Sequence, residues 1–527
     1  MNLIKSILVL TFITFIYPVH GEIIQILHTN DLHGFFENSG FDKAVGGFGA
    51  LKIKMDELRR EAAQSGVRTI TLDAGDFLEG NLFYLADFGA FNFRMMNDLN
   101  YDAVVMGNHD WLMGTQALDY LLERANFDFS LLSANLKIKD FYQPRYPSIE
   151  EKIKPYKIIE VNQYKIAILG LSTNDPLYSW RFQDGVVQDP ISVAKKYAKF
   201  LKKEMKVDFI IALTHLGSKK DLKLAKSVPE IDLVVGGHDH RMIETPLEVK
   251  HEDKTVPVVQ TGSLGQKLGH LVVDVDLIKG LRVLKYELIP IEYKDDFETE
   301  LKIEEGQNFL NDMYGKEFLT EQVGETSLPL YYNDHASTIW SKIVVEGIRE
   351  GGGGEVAVNT GSLAGSDLPV GKFARQDLMN TYPRIFEFEE KDGWKVYNTK
   401  VSGWLLDLTI QICLSFGYHL DWSGLTFKIK NFKNGKRAAY HIRINGKKIN
   451  PLKLYRLSVP EGIIRGGFGV TSLVRLIFIS SGYTKTSIWQ AIENKVKEIG
   501  PIDLNNPKVK AIENLINYQF VPRSFEN

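Results

Sequence analysis

The sequence predicts an α/β protein with a layered sheet core, joined to a smaller second domain that is α/β or α+β. In the first half of the chain, short apolar runs rich in β-branched residues, such as 23–27 and 67–72, alternate with helical stretches such as 50–64. Strands that are buried on both faces read as continuous apolar runs of this kind. In the second half, Asn-Gly pairs at 434–435 and 445–446 lie between alternating stretches and predict hairpin turns.

The chain has 527 residues, which allows two large domains or three small ones. We predict a signal peptide at 1–21, a first domain at 22–293, a linker helix at 294–322 and a second domain at 323–527. The linker segment is polar and acidic with helical spacing, so we expect an exposed helix there.

The first residues are typical of a secretory signal peptide. Lys5 precedes an apolar run at 7–17, and small or permissive residues lead to Gly21, after which cleavage is expected. The run is too short to cross ~30 Å of hydrocarbon, and no later segment is long and apolar enough to do so. We therefore expect a soluble, periplasmic or secreted protein. A buried N-terminal strand is the alternative interpretation of this segment.

Composition excludes several classes of protein. Hydrophobic residues make up 44% of the chain and charged residues 24%, which excludes a largely disordered protein. The formal net charge is −3, so nothing favours a general nucleic-acid binder. The single cysteine, Cys413, excludes an intrachain disulfide framework and a CxxC metal site.

Five segments place acidic, amide and imidazole side chains directly after apolar strands, where α/β folds place their functional sites. They contain five of the twelve histidines of the chain. Oxygen and imidazole donors without a thiolate suit Mn, Zn, Fe or Co. The candidate ligands are too many for one ion and fit two ions that share a bridging carboxylate, as in phosphoryl transfer. The segments are 31–34, 73–76, 107–110, 214–215 and 236–240.

The motifs DLHG, GD, GNHD, TH and GHDH, in this order and spacing, resemble those of the calcineurin-like metallophosphoesterases. With the signal peptide, linker helix and C-terminal domain, the whole layout resembles the secreted 5′-nucleotidase family, which includes UDP-sugar hydrolases and 2′,3′-cyclic phosphodiesterases. The resemblance implies a four-layered α/β sandwich. It also implies a two-metal phosphoesterase that hydrolyses phosphate esters of nucleotides or related small molecules.

The resemblance also implies roles for individual residues. One divalent ion would be held by Asp31, His33, Asp76 and His240, and the other by Asp76, Asn108, His215 and His238. Asp76 would bridge the two ions. His109, next to Asn108, would bind no metal and would stabilise the phosphoryl oxygens or the leaving group in the transition state.

Two regions depart from the family pattern. Leu112 stands where family members usually carry an Asp that orients the catalytic His, and Asp110 is a possible substitute. In the second domain, Ala364 replaces a substrate-contacting Arg, and His419 and Val470 replace the two aromatic rings that hold the base. Phe468 is a candidate aromatic platform, and Arg465 and Arg384 are candidates to replace the lost cation. The alternative is that each is an ordinary surface or packing residue.

Other interpretations stay open at this point. The same scaffold also supports hydrolysis of sulfur esters, although such relatives usually lack the pair that Asn108 and His109 supply. A secreted binding protein without turnover is the alternative from another class, favoured by Leu112, Ala364 and His419. We expect a small-molecule partner, no nucleic acid, no membrane span, and a monomer or homodimer.

Overall fold

The computed structural model describes residues 21–37, 45–139, 146–252, 254–294, 296–333, 336–385, 391–432, 436–465 and 479–519. The predicted signal peptide, apart from Gly21, therefore lies outside the described residues. The same holds for Phe468 and for the predicted turn at 434–435.

Strands alternate with helices through the first half, as the apolar runs predict. In chain order the strands are β1 (Glu22–Thr29), β2 (Arg68–Asp73), β3 (Ala103–Val105), β4 (Ser130–Leu132), β5 (Leu136–Ile138), β6 (Ile153–Lys154), β7 (Tyr156–Val161), β8 (Tyr164–Ser172), β9 (Gly185–Val187), β10 (Phe209–His215), β11 (Leu233–Gly236), β12 (Leu247–Lys250), β13 (Thr255–Val259), β14 (Lys267–Asp276) and β15 (Gly280–Pro290). The helices are α1 (Phe48–Gln64), α2 (Ala90–Asp98), α3 (Thr115–Arg124), α4 (Pro147–Lys152), α5 (Pro176–Ser179), α6 (Pro190–Lys203) and α7 (Ser218–Ser227).

These strands form two main sheets. The first sheet has the order β15-β14-β1-β2-β3-β4-β6, and the second has the order β12-β13-β11-β10-β8-β7. Strands β1, β2, β3, β4 and β6 of the first sheet run parallel, as do β8, β10, β11 and β13 of the second. The pairs β1–β14, β14–β15, β7–β8 and β12–β13 are antiparallel. Parallel neighbours bring the carboxyl ends of successive strands to one edge of each sheet.

The two sheets pack face to face, and helices cover their outer faces. Side chains from both sheets, among them Ile26, Leu72, Ile168 and Leu213, form one buried cluster between the sheets. Helices α6 and α7 pack on the outer face of the second sheet, and α1, α2 and α3 pack on the outer face of the first. The predicted four-layered α/β sandwich is confirmed.

The second half contains a smaller mixed domain. Its strands are β16 (Gln322–Thr326), β17 (Val356–Asn359), β18 (Gly371–Ala374), β19 (Lys395–Ser402), β20 (Asp421–Ser423), β21 (Leu425–Asn431), β22 (Arg437–Ile444), β23 (Lys447–Lys448), β24 (Leu454–Pro460) and β25 (Ile479–Ser487). The main sheet has the order β20-β17-β24-β19-β25. Asn445 and Gly446, both with positive φ, form the predicted tight turn between β22 and β23.

A helical segment connects the two halves, as predicted. It comprises α8 (Phe297–Tyr314) and α9 (Lys316–Thr320). The expectation that this helix is exposed is wrong for one face, because Ile303 and Leu310 are buried. Gly306 permits the close packing, since a Cβ there would lie 2.6 Å from the ring of Phe91. The domain limits at 293 and 322 stay a prediction.

One hydrophobic core continues from the first half into the second. It includes Met55 of α1, Phe91 of α2 and Leu310 of α8. The second half adds helices α10 (Ile339–Gly352), α11 (Arg375–Asn380), α12 (Gly403–Phe416), α13 (Glu461–Arg465), α14 (Ile488–Ile499) and α15 (Pro507–Gln519). Trp340 of α10 and Ile492 of α14 belong to the same core. Within the described residues, no helix combines the length and the apolar character needed to cross a bilayer.

Candidate metal centre

The predicted ligands lie at the carboxyl ends of parallel strands from both sheets. They end or follow β1, β2 and β3 in the first sheet, and β10 and β11 in the second, in the order Asp31, His33, Asp76, Asn108, His215, His238 and His240. Because the two sheets pack face to face, these strand ends lie close together, and side chains far apart in sequence converge on one site.

The backbone of this site is strained at several predicted ligands. Thirteen described non-glycine residues have a positive φ, and five of them are predicted ligands. This conformation costs roughly 1–2 kcal/mol per residue for an L-amino acid, so it persists only where the surroundings enforce it. The values are 53° for Asp31, 52° for His33, 58° for Asp76, 92° for His238 and 51° for His240.

The first group of converging side chains is Asp31, His33 and His240, each offering one ligand atom within 4.8 Å of the others. The Nε2 atoms of His33 and His240 are 3.1 Å apart, and Nε2 of His240 is 3.4 Å from Oδ1 of Asp31. Burial, together with repulsion from His109, lowers the pKa of His33 to about 3. The neutral ring can therefore offer a lone pair to a cation.

The second group is Asp76, His215 and His238, whose ligand atoms also lie within 4.8 Å of one another. Nδ1 of His215 donates to the carbonyl of Ala74 at 2.7 Å, and its Nε2 is 3.0 Å from Oδ2 of Asp76. Burial lowers the pKa of His238 to about 4. Burial also favours neutral His215, but the Asp76 carboxylate outweighs it and raises the pKa of His215 to about 10. Positive charge is thus strongly favoured beside Asp76.

Asp76 links the two groups. It also forms a third set with His33 and His109, with ligand atoms within 4.8 Å of one another. Oδ1 of Asp31 is 3.9 Å from Nε2 of His215, so the groups are contiguous. Two ions about 3.5–4 Å apart need a shared carboxylate, and Asp76 lies where one is required.

A buried amide oxygen supports a fit to metal ions. Oδ1 of Asn108 has no hydrogen-bond partner among the described residues. Buried polar atoms nearly always have a hydrogen-bond partner, and a bound metal ion would satisfy this oxygen instead. Carboxylate, amide and imidazole donors without sulfur match Mn, Zn, Fe or Co. The side chains present therefore fit a pair of divalent ions.

Asp110 braces the loops that carry Asp76 and Asn108. Its carboxylate accepts hydrogen bonds from the backbone N–H groups of Asp76, Phe77, Leu78 and Gly107, at 2.7–3.0 Å. Gly107 is required at this crossing, because a Cβ there would lie 2.1 Å from Oδ1 of Asp76. The Asp110 carboxylate is occupied by these backbone N–H groups, so it does not take the place of the family's Asp at position 112.

His109 lies beside both groups and has a carboxylate partner that the sequence analysis missed. Its backbone N–H donates to Oδ1 of Asp76 at 2.8 Å. Its Nδ1 is 2.8 Å from Oε2 of Glu79, which also forms an ion pair with Nη1 of Arg384 at 2.5 Å. Burial alone would raise the pKa of Glu79, but Arg384 and His109 outweigh it and keep that pKa below its usual value.

Two neighbours of His109 were therefore not predicted. Glu79 lies three residues after Asp76, in a loop already identified, and its acidic side chain was the available indication. Tyr178 of α5 lies between two site histidines, with ring centroids 6.2 Å from His109 and 5.7 Å from His238. No sequence pattern indicated Tyr178.

The three predicted substrate-binding residues of the second domain differ from one another in their surroundings. Arg384 reaches His109, while its Nε and Nη2 donate to the carbonyls of Leu363 and Ala364 at 3.1 and 3.2 Å. Arg465 forms an ion pair with Glu461 of its own helix at 2.5 Å. Phe468 lies outside the described residues. The substrate roles of all three stay predictions.

Comparison with known proteins finds a family match in the first half of the chain. Residues 24–242 match the family described as calcineurin-like phosphoesterase. The chain is 29% identical over 395 residues to the trifunctional nucleotide phosphoesterase YfkN of Bacillus subtilis, covering 68% of this chain and 26% of YfkN. The chain thus spans about a quarter of that relative.

Two further comparisons extend across both halves. The chain is 25% identical over 544 residues to the protein UshA of Yersinia enterocolitica, covering 92% of this chain and 93% of UshA. The crystal structure of a 5′-nucleotidase precursor from Thermus thermophilus matches with a TM-score of 0.78 at 22% identity, covering 91% of this chain and 97% of that one. The two-part architecture is therefore shared with that structure.

Proposed function

We propose that this protein is a two-metal phosphoesterase that hydrolyses phosphate esters of nucleotides or related small molecules. The observation that carries the proposal is the position of Asp76 between two contiguous groups of ligand atoms. The calcineurin-like phosphoesterase match over 24–242 supports the chemistry. The similarity to the trifunctional nucleotide phosphoesterase YfkN supports a nucleotide-like substrate.

In this proposal the side chains divide the work. Asp31, His33 and His240 would hold one divalent ion, Asn108, His215 and His238 the other, and Asp76 both. When bound, the ions would supply positive charge that attracts the ester oxygens and favours deprotonation of a water. His109 would place an imidazole N–H against the charge that develops on the phosphoryl oxygens or leaving group.

The second domain would select the substrate. Arg384 extends from it to His109, which supports direct contact between that domain and the site. We propose the limits 323–527 for this domain, with 294–322 as the linker. The loss of an aromatic pair and of an Arg at 364 favours a substrate whose base is held by other groups than in the family pattern.

The decisive experiment measures hydrolysis by purified protein loaded with Mn²⁺ or Co²⁺. Substrates are p-nitrophenyl phosphate, bis-p-nitrophenyl phosphate, AMP, ATP and UDP-glucose. We expect turnover of at least one, abolished by Asp76→Asn. Glu160→Gln is the matched control, because the Glu160 side chain is 71% exposed and lies on β7; it should keep full rate.

Other outcomes would identify the alternatives. A protein that binds metal but hydrolyses none of the phosphate esters would be a binding protein. A protein that cleaves only sulfur esters would be a sulfur-ester hydrolase on the same scaffold. Turnover that survives Asp76→Asn would remove the two-metal proposal.

We also propose Mn, Zn, Co or Fe as the native metal, a periplasmic or secreted location, and a monomer or homodimer. Elemental analysis of protein purified from its source would identify the metal. Intact mass of the exported protein would test cleavage after Gly21. Light scattering would give the oligomeric state.

A further inference from the structure

Glu79 holds two imidazole rings of the site through two different groups. Its backbone carbonyl is 2.8 Å from Nδ1 of His33, and its carboxylate Oε2 is 2.8 Å from Nδ1 of His109. The backbone contact turns Nε2 of His33 toward the partner ring of His240. Of the two rings, the side chain contacts only that of His109, so the two roles can be separated by substitution.

We propose that Glu79 is the positioning residue for His109, in place of the Asp that Leu112 replaces, and that Arg384 of the second domain locks its carboxylate. This inference rests on the proposed function. Glu79 touches no reacting atom; it acts through the ring of His109. The second domain thereby contributes to the geometry of a residue in the first.

The contacts explain why a carboxylate is needed at position 79. One oxygen, Oε2, meets both Nδ1 of His109 and Nη1 of Arg384. The side chains of Glu79 and Arg384 are 3% and 4% exposed, so neither charge is solvated and each depends on the other.

The same contacts determine where the His109 proton lies. An ionised carboxylate is an acceptor only, so it selects the tautomer that carries its proton on Nδ1. Nη1 of Arg384 lies 3.2 Å from Nδ1 of His109. Because both nitrogens are donors, they share Oε2 of Glu79 as acceptor and do not hydrogen-bond to each other. The Nε2 atom of His109 is then left to face the reacting group, and in the imidazolium form of the ring it carries the N–H that would meet the developing charge.

Arg384 is also held by groups of its own domain. Its Nε and Nη2 donate to the carbonyls of Leu363 and Ala364, which belong to the second domain. His109 and Arg384 are 275 residues apart in sequence. The Glu79–Arg384 ion pair therefore forms only when the two domains are docked, and docking is coupled to the orientation of His109.

The kinetic test uses Glu79→Gln, which keeps size but removes the charge, and Glu79→Ala, which removes the contact. We expect kcat to fall about 10–100-fold, as for other groups that orient a functional imidazole. KM and metal content should change little, because the carbonyl of residue 79 still holds His33. Glu79→Asp should recover part of the rate, and Glu160→Gln should match the parent protein.

A double-variant cycle separates positioning from a general structural effect. If Glu79 acts through His109, Glu79→Ala should have no further effect on kcat in the His109→Asn background. A full additional loss in that background would overturn the proposal. So would Glu79→Gln and Glu79→Ala proteins that both keep the parental kcat.

An NMR measurement decides the geometry even if no phosphate ester is turned over. In zinc-loaded protein labelled with ¹⁵N in histidine, the His109 signals are assigned by their loss in His109→Asn. We expect a protonated Nδ1 in the parent protein and its loss or exchange broadening in Glu79→Ala and Arg384→Gln. A parent protein whose His109 ring carries a proton on Nε2 but none on Nδ1 would overturn the positioning role independently of the proposed function.

Discussion

The two domains contrast in how directly their sequence motifs translate into a site. In the first domain, every predicted ligand from Asp31 to His240 lies at the end of a parallel strand, and the packing of two sheets assembles them. In the second domain, Arg384 and Arg465 are engaged by protein groups. The convergence of the predicted ligands thus follows from fold topology, whereas the surroundings of the two arginines depend on individual side-chain and carbonyl partners.

The largest expected effect is that of metal removal, which tests whether the reaction depends on the ligand groups of the first domain. Protein stripped with a chelator should lose all turnover, because the ligand groups would have no cation to hold against the ester. Added Mn²⁺ should restore the rate and raise Tm, since a ligand that binds only the folded state stabilises it. Activity that is resistant to complete stripping would break the contrast.

The next effect is that of His109→Asn. It should lower kcat by about 10²-fold or more, because a positioned acid–base group contributes that much. Metal content should stay unchanged, since Nδ1 of His109 is engaged by Glu79 rather than by a ligand group. Elemental analysis beside steady-state kinetics would check both. A variant with full rate would show that His109 has no part in the reaction.

A smaller effect tests the second domain. If Phe468 stacks on a base, Phe468→Ala should raise KM for AMP by about 5–100-fold, since stacking contributes roughly 1–3 kcal/mol. The KM for p-nitrophenyl phosphate, which has no base, should change little. Equal effects on both substrates, or none on either, would contradict a base-stacking role. Phe297→Ala is the aromatic control, because this ring at the start of α8 is 76% exposed.

The last prediction concerns stability, with the least expected change in activity, and involves His28. This residue is buried on β1, and neither of its ring nitrogens is hydrogen-bonded among the described residues. Burial lowers its pKa to about 3. Below about pH 6.5 the unfolded chain therefore binds a proton at His28, whereas the folded chain does not. The contribution of His28 to the free energy of unfolding is largest above that pH and decreases as the pH falls toward 3. Urea unfolding of His28→Gln should show a flatter decline over this range. His441→Asn, at an exposed site, should keep the parental decline.

Sequence reasoning predicted the convergence of these side chains because the positions of strand ends follow from the hydrophobic pattern. It did not reach the backbone strain at Asp31 and His238, because their motifs were interpreted only as sources of ligands. Glu79 was missed because its role depends on Arg384, which is brought to it only by the complete fold. The burial of α8 was missed because its polar composition outweighed the few apolar positions that face the first domain.

The hydrophobic core shared by α1, α8, α10 and α14 has a consequence for heating. Two domains with separate interiors would absorb heat in two steps. Here the loss of either half would expose apolar surface of the other, so the halves are expected to melt as one cooperative unit. A calorimetric scan should then give a single endotherm.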